Sequence, residues 1–320
     1  MKFNKNRRSF IKVATLSSAA ALMPFSTVKA SSPHGSRKFR MSLNPGAIGV
    51  SVNQNELLEA ASKHGFEAIV PFSGTLAGWS DDEIKAFLAE MKSKDITWGA
   101  AGLPYNFRGD QEAQAKGISE LPKHAKALEK AGVTRMATWI MPTHDSLTYL
   151  QNMDLHASRL KEAVKILGEH GISFGLEYVG PKTLMAAKKF SFVHTMAECL
   201  ELIDAIGEPN VGFQLDTFHW FCAGETKEDL LALNKDKIIT VDLNDARKGF
   251  TADEQIDGKR ELPMATGIID TKSFMEALVE IGYDGPVRAE PFNQPLRDMD
   301  KEDALKATYS AMSKAFSLVD

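Results

Sequence analysis

The sequence predicts a single (β/α)8 barrel, and three observations support that prediction. Eight short apolar runs alternate with eight amphipathic stretches along the chain. Runs such as residues 238–241 are almost continuously apolar, as expected for strands buried on both faces of a parallel sheet. An open doubly wound sheet would need a glycine-rich turn after its first strand, and no Gly-x-Gly-x-x-Gly sequence stands there. A closed barrel is therefore the favoured architecture.

The first half of the chain supplies four strand–helix units. The strands are predicted at residues 39–43, 67–72, 96–103 and 135–141, and the helices at residues 55–64, 81–94, 111–131 and 147–170. Ser80 and the three acids after it suit the positive N-terminal end of the second helix. Gly132 and Gly171 follow the third and fourth helices, which is a common way for a helix to end.

The second half repeats this rhythm. The strands are predicted at residues 172–179, 211–218, 238–243 and 286–291, and the helices at residues 192–206, 227–233, 271–281 and 301–318. Gly207 and Gly282 end two of these helices. Residues 246–270, between strand 7 and helix 7, form a long charged connection without periodicity. In a compact domain such a loop is usually functional.

Residues 1–30 read as an export signal that precedes the barrel of residues 31–320. A basic start without acids is followed by an apolar stretch and by the small residues that a signal peptidase favours. The stretch is too short and wrongly flanked for a membrane span. The Arg7–Lys12 segment resembles a twin-arginine signal, although Asn6 stands where Ser or Thr is usual. An ordinary secretory signal is the alternative, and a periplasmic location is expected in both cases.

The net charge narrows the class of partner. Residues 1–30 contain six lysines and arginines and no acid, so their removal changes the formal net charge from −4 to −10. A chain this acidic is a poor binder of nucleic-acid phosphates, and it shows no basic patch for a membrane surface. We therefore expect no nucleic-acid and no membrane partner. The sequence does not tell whether Cys199 and Cys222 pair.

Four successive predicted strands end in acids. In a (β/α)8 barrel, side chains at the carboxyl ends of the strands face the active site. These acids are Glu177, Asp216, Asp242 and Glu290. Buried carboxylates in one place repel one another, and a divalent cation among them would relieve the repulsion. A single acid could instead cap a loop or pair with a nearby cation such as Arg288 or Lys182.

The residues around these acids resemble the sugar phosphate isomerase/epimerase family, whose fold is the xylose isomerase-like barrel. The resemblance covers residues 38–318 and rests on Leu-Glu-Tyr, Leu-Asp-Thr-Phe-His, Val-Asp-Leu-Asn-Asp-Ala and Ala-Glu-Pro-Phe. The Glu-Tyr-Val-Gly-Pro-Lys run and the long loop of residues 253–263, which ends in Arg-Glu-Leu-Pro, are similar to an exported branch of that family. It implies metal ligands at Glu177, Asp216, Asp242 and Glu290. Asp242 departs from the family pattern, which has histidine there. An oxygen-rich set suits Mn²⁺, Mg²⁺ or Co²⁺, with Zn²⁺ or Ca²⁺ as alternatives.

The resemblance also implies a reaction. One divalent ion would polarise a carbonyl of a sugar, while Glu177 and Glu290 remove and return a proton on the neighbouring carbon. Export favours a non-phosphorylated sugar or keto sugar as the small-molecule substrate. If the substrate carries a leaving group, the same enediolate would give a lyase or dehydratase instead. The residues that could contact substrate are His219, Arg247, Lys182 and His144.

Two rival functions have different requirements. A nuclease on this barrel would need a histidine-rich metal cluster and a basic surface, and the sequence has neither. A sugar-binding barrel without catalysis stays open because of Asp242. The family analogy also allows a homo-oligomer.

Overall fold

The computed structural model describes residues 37–320, and its main sheet closes into a barrel. Strand 3 consists of two short pieces, Thr97–Trp98 and Ala101–Gly102. The first piece pairs with strand 2 and the second with strand 4, so strand 3 joins the two ends of the sheet. All neighbouring strands of this sheet are parallel. The predicted eight-stranded barrel is therefore confirmed.

The elements follow the predicted order. The strands are Arg40–Leu43, Ala68–Ile69, Thr97–Trp98 with Ala101–Gly102, Arg135–Trp139, Ser173–Glu177, Val211–Asp216, Ile238–Leu243 and Pro286–Ala289. In the described part of the chain, the eight outer helices are Gln54–His64, Asp81–Ser93, Gln111–Lys130, Tyr149–Glu169, Met196–Ile206, Lys227–Leu231, Thr271–Ile281 and Lys301–Phe316. The connections between residues 37 and 320 also contain four shorter α-helices, at Ser73–Leu76, Lys182–Met185, Thr217–Ala223 and Gln294–Arg297. Thr143–His144 and Phe190–Ser191 form a small antiparallel pair.

Strand 6 ends two residues earlier than the sequence predicts. The carboxylate of Asp216 accepts hydrogen bonds from the backbone N–H groups of Phe218 and His219, at 2.6 and 3.3 Å. These bonds make Asp216 the N-cap of the helix Thr217–Ala223. The apolar run continues through this point, so hydrophobicity alone could not reveal the turn from strand to helix.

The sequence also leads to expectations about residues 1–30, the two cysteines and membrane association. The export signal predicted at residues 1–30 lies outside the described residues. Cys199 and Cys222 are both free and buried. Within residues 37–320, no helix is both long enough and apolar enough to cross a membrane.

Asp245 anchors the long loop after strand 7. Its buried carboxylate accepts hydrogen bonds from four backbone N–H groups, those of Ala246, Thr266, Gly267 and Ile269. Its backbone also exchanges two hydrogen bonds with Glu261, at 2.9 and 2.8 Å. The loop is therefore tied back to the strand end, and the residue before Glu261 is held over the barrel mouth.

We predict that Asp245→Asn lowers the free energy of unfolding by about 2–3 kcal/mol. The amide NH2 cannot accept hydrogen bonds, so buried N–H groups of the loop lose their partner. Urea denaturation measures the change, and limited proteolysis within residues 246–270 reports loop opening. Asp253→Asn in the same loop is the control, because its carboxylate is exposed and pairs only with Lys182. Equal stability and protease resistance of Asp245→Asn and the wild type would contradict this account of the loop.

Candidate active site

The register of the barrel brings the four predicted acids together. Asp242 lies beside Asp216 on one neighbouring strand and beside Arg288 on the other. Glu177 ends strand 5, and Glu290 directly follows strand 8. One carboxylate oxygen from each of the four acids lies within 4.8 Å of the others. The convergence that the sequence predicts is thus present.

Burial and mutual repulsion raise the pKa of both glutamates. The pKa of Glu177 is well above its usual range, because its carboxyl group is buried and faces Glu290, Asp216 and Asp242. The same causes raise the pKa of Glu290 to about 8, although Arg260 and Arg288 act in the opposite direction. Oε1 of Glu177 is buried and has no hydrogen-bond partner among residues 37–320. Both side chains therefore hold a proton more readily than an exposed glutamate does.

Arg288 forms a two-pronged ion pair with Asp242. Its Nε donates to Oδ1 of Asp242, and its Nη2 donates to Oδ2 at 3.0 Å. Oδ2 also accepts a hydrogen bond from Gln214 at 2.8 Å. The pairing with Arg288 that the sequence left open for a single acid is found at Asp242. Both oxygens of Asp242 are thereby engaged.

Arg260 enters the acid cluster from the long loop. Its Nη1 donates to Oδ2 of Asp216 at 2.8 Å and lies 3.4 Å from Oε2 of Glu290. Its Nε and Nη2 donate to the backbone carbonyl and the carboxylate of Asp257, at 2.9 and 2.7 Å. The side chain is 1% exposed. Burial disfavours the charged guanidinium, but the facing carboxylates outweigh burial and raise the pKa of Arg260.

Two aromatic rings hold the guanidinium of Arg260 in place. Its central carbon lies 4.9 Å from the ring centre of Phe218 and 4.5 Å from that of Phe292. Cation–π contacts of this kind favour arginine over lysine, because the guanidinium is planar and weakly hydrated. The cation is thus confined by hydrogen bonds in its plane and by rings at its side.

His219 lies in the same cluster as a neutral ring. Burial and the charge of Arg260 lower the pKa of His219 to about 3. Its Nε2 lies 3.2 Å from Nη2 of Arg260 and 3.8 Å from Oε1 of Glu177. Because Nη2 can only donate, Nε2 is the acceptor and Nδ1 carries the proton.

A cavity of about 600 Å³ opens onto the acids. Glu177 and Glu290 line it together with Gln214 and Arg288, and the rings of Phe72, Tyr105 and Trp139 line it as well. Asp216 and Asp242 are almost completely buried and do not belong to this lining. The two glutamates are therefore the acids that a molecule in the cavity would meet.

The hydrogen bonds of the acids test whether a divalent ion fits. By distance alone, the four carboxylates could hold one. However, Asp216 accepts from two backbone N–H groups on one oxygen, and from Asn244 and Arg260 on the other. Asp242 accepts from Arg288 on each oxygen and from Gln214 on Oδ2. Guanidinium groups thus stand against two of the four predicted ligands, and the side chains as arranged do not fit a four-carboxylate metal site unless both arginines move.

The other predicted substrate-binding residues lie away from the acids. Lys182 forms an exposed ion pair with Asp253 at 2.7 Å. Arg247 packs against the ring of Phe250, at 4.1 Å, and lines a different cavity. His144 accepts hydrogen bonds from the backbone of Ser146 and Leu147 beside a third cavity. Their roles in substrate binding stay predictions.

Arg260 is the main site residue that the sequence analysis did not single out. It lies in the Arg-Glu-Leu-Pro segment of a loop whose length and charge marked it as functional. No periodicity relates that loop to the strands, so its contact with Asp216 could not be predicted. Gln214 was also not predicted as a site residue, although it lies two residues before Asp216 and therefore on the same face of strand 6.

Comparison with known proteins supports the same assignment of fold. The sequence profile of the xylose isomerase-like TIM barrel family matches residues 58–314. An inosose isomerase from Bacillus velezensis is 26% identical over 274 residues, covering 82% of this chain and 94% of its own length. A ketose 3-epimerase from Arthrobacter globiformis is 25% identical over 123 residues, covering 38% of this chain and 36% of its own.

Solved structures show the same barrel. A xylose isomerase domain protein from Alicyclobacillus acidocaldarius superimposes with a TM-score of 0.76 and 28% identity, covering 88% of this chain and 99% of its own. The IOLI protein, solved with a bound zinc atom, gives a TM-score of 0.71 at 21% identity with the same coverage. The fold and the family profile lead to one conclusion: this chain belongs to the xylose isomerase-like TIM barrel family.

Proposed function

We propose that this protein is an enzyme that isomerises or epimerises a small non-phosphorylated sugar or keto sugar. The observation that carries the proposal is the pair of glutamates, Glu177 and Glu290, which line one cavity with oxygens within 4.8 Å. Two carboxyl groups in this arrangement can remove a proton from a carbon and return one to the same or the neighbouring carbon. The names of the relatives, inosose isomerase and ketose 3-epimerase, support the same reaction class.

The reaction begins at the carbon beside the carbonyl of the substrate. One glutamate, as carboxylate, accepts the proton of that carbon; the electron pair of the broken C–H bond forms a carbon–carbon double bond, and the π pair of the carbonyl moves onto its oxygen. The other glutamate, as carboxylic acid, then donates a proton to the same carbon from the opposite face, and the carbonyl re-forms. If the proton goes to the former carbonyl carbon instead, the hydroxyl of the first carbon passes its proton to the former carbonyl oxygen and becomes the new carbonyl. The buried environment that raises both pKa values allows one group to be neutral while the other is charged. These steps do not use the predicted divalent ion, because Asp216 and Asp242 are bound to Arg260 and Arg288 in an arrangement that does not fit an ion.

The charges around the cavity favour a substrate without phosphate. Two arginines line it: the charge of Arg288 is paired with Asp242, and Arg108 donates to the backbone carbonyl of Trp139 and packs against the indole ring. Glu177 and Glu290 would repel a phosphate dianion. Aromatic rings such as Trp139 offer a surface against which a sugar ring can pack.

We predict that Glu177→Gln and Glu290→Gln each reduce turnover by about 10²–10⁴-fold, because an amide cannot take up or deliver the proton. Inososes and ketoses incubated in D₂O are the substrates to test first. Deuterium incorporation at the carbon next to the carbonyl, followed by NMR, measures the proton transfer directly. Loss of exchange in both variants is the expected result.

Glu208→Gln is the matched control for these variants. Glu208 lies before strand 6, at the opposite end of the barrel, and faces Lys161 and Lys165. It should exchange deuterium like the wild type. Exchange that persists in both glutamine variants, or wild-type protein that exchanges with no inosose or ketose, would remove the support for this function.

We further propose that residues 1–30 direct export to the periplasm by the twin-arginine route. The support is the basic, acid-free start and the Arg7-Arg8 pair before the apolar stretch. Arg7→Lys combined with Arg8→Lys should leave the uncleaved chain in the cytoplasm of a bacterial host. Fractionation with immunoblotting measures its location. Unchanged export of the double variant would favour the ordinary secretory route, and cytoplasmic wild type would refute export.

A further inference from the structure

The positive charge beside the innermost acids of this site comes from two arginine side chains of the protein itself. Arg260 and Arg288 each place a guanidinium against one of the two innermost acids, Asp216 and Asp242. Asp216 and Asp242 are 1% and 0% exposed. A buried carboxylate without a partner is strongly unfavourable, so each of these acids needs a permanent positive neighbour. Each has one within the chain.

Several hydrogen bonds hold the side chain of Arg260 in a fixed position within the acid cluster. All three of its nitrogens donate to oxygen atoms, of Asp257, Asp216 and Glu290. Asn293 donates to the backbone carbonyl of Arg260 at 3.0 Å, and the backbone of Glu261 is bonded to Asp245. Movement of Arg260 out of the cluster would break these bonds together. An ion that needed Oδ2 of Asp216 would have to displace this arginine.

Arg288 differs from Arg260 because it also faces the cavity. Its Nε and Nη2 are committed to Asp242, and Nη2 lies 3.8 Å from Oε1 of Glu290. Its Nη1 donates to no protein atom among residues 37–320, and the side chain lines the cavity with both glutamates. Arg288 therefore combines a buried ion pair with a guanidinium nitrogen left for a substrate oxygen, on a side chain that lines the cavity.

We propose that Arg260 and Arg288 replace the divalent cation of this barrel, with Arg288 as the group that binds the carbonyl oxygen of the substrate. This inference rests on the proposed function for the role of Arg288, but not for the absence of a metal. As the C–H bond breaks, its electron pair forms the enediolate, and the negative charge on oxygen is paired with the Arg288 guanidinium. When carbon is reprotonated, the carbonyl re-forms and that charge disappears. Asp242 keeps the arginine oriented and charged.

Metal binding is the direct test, and it does not require activity. The full mature protein is dialysed against EDTA, then titrated calorimetrically with Mn²⁺ and with Zn²⁺, and its melting temperature is measured with and without each ion. We expect no binding with one-to-one stoichiometry and no change in melting temperature. About one tightly bound ion per chain in the wild type, lost in Asp216→Asn, would overturn the proposal while leaving the proposed function intact.

Removing the two guanidiniums tests the same idea in the opposite direction. In Arg260→Met combined with Arg288→Met, four carboxylates face one another without a cation, so Mn²⁺ should now bind and raise the melting temperature. Arg297→Met is the control, because Arg297 also lies near Phe292 but, within residues 37–320, donates to a backbone carbonyl, that of Ala47, and to no carboxylate. It should not gain metal binding. If the double variant folds but does not bind Mn²⁺, the proposal that the arginines replace a metal ion is wrong. If the double variant does not fold, the metal titration of the wild type is the test.

A substrate-side measurement separates the role of Arg288 from a purely structural one. Arg288→Lys keeps the positive charge but loses the two-pronged contact with Asp242. If Arg288 pairs with the developing oxygen charge, Arg288→Lys should lower kcat more than it raises KM. Added guanidinium ion should partly restore deuterium exchange in Arg288→Gly. Unchanged kcat in Arg288→Lys would show that the arginine only stabilises the fold.

Discussion

The barrel mouth depends on the compensation of buried negative charge. Four parallel strands place carboxylates side by side, and two of these acids are almost fully buried. Such groups would either stay protonated or disrupt the strand ends unless positive charge lay beside them. Arg260 and Arg288 provide it at Asp216 and Asp242. At Glu177 and Glu290, burial and the repulsion from the other acids raise the pKa of each side chain.

The two compensating arginines come from different kinds of structure, one from a strand and one from a loop. Arg288 comes from strand 8, where the register sets it beside Asp242 without any loop. Arg260 comes from the connection after strand 7, which stays in place because Asp245 accepts four of its backbone N–H groups. A carboxylate outside the reaction centre thus organises the loop that neutralises a carboxylate inside it. The two acids that line the cavity are Glu177 and Glu290, to which we assign the proposed proton transfer.

The predictable part of the molecule is the part governed by periodicity. Near-continuous apolar strands and amphipathic helices predicted the barrel, and strand ends predicted the four converging acids. The end of strand 6 was misplaced, because the apolar run does not show that Asp216 caps a helix. The partner of Asp242 was open in the sequence, since an acid at a strand end suits either a metal or an arginine. Arg260 could not be placed, because its position depends on hydrogen bonds of a non-periodic loop.

We propose that guanidinium groups, and not a metal ion, balance these acids. Crystals of the mature protein grown with Mn²⁺, with anomalous X-ray data collected, would show which of the two is present. We expect the Arg260 guanidinium against Asp216, the Arg288 guanidinium against Asp242, and no anomalous peak among the four carboxylates. An anomalous peak bonded to Asp216 and Glu290, with Arg260 turned away from the cluster, would contradict it.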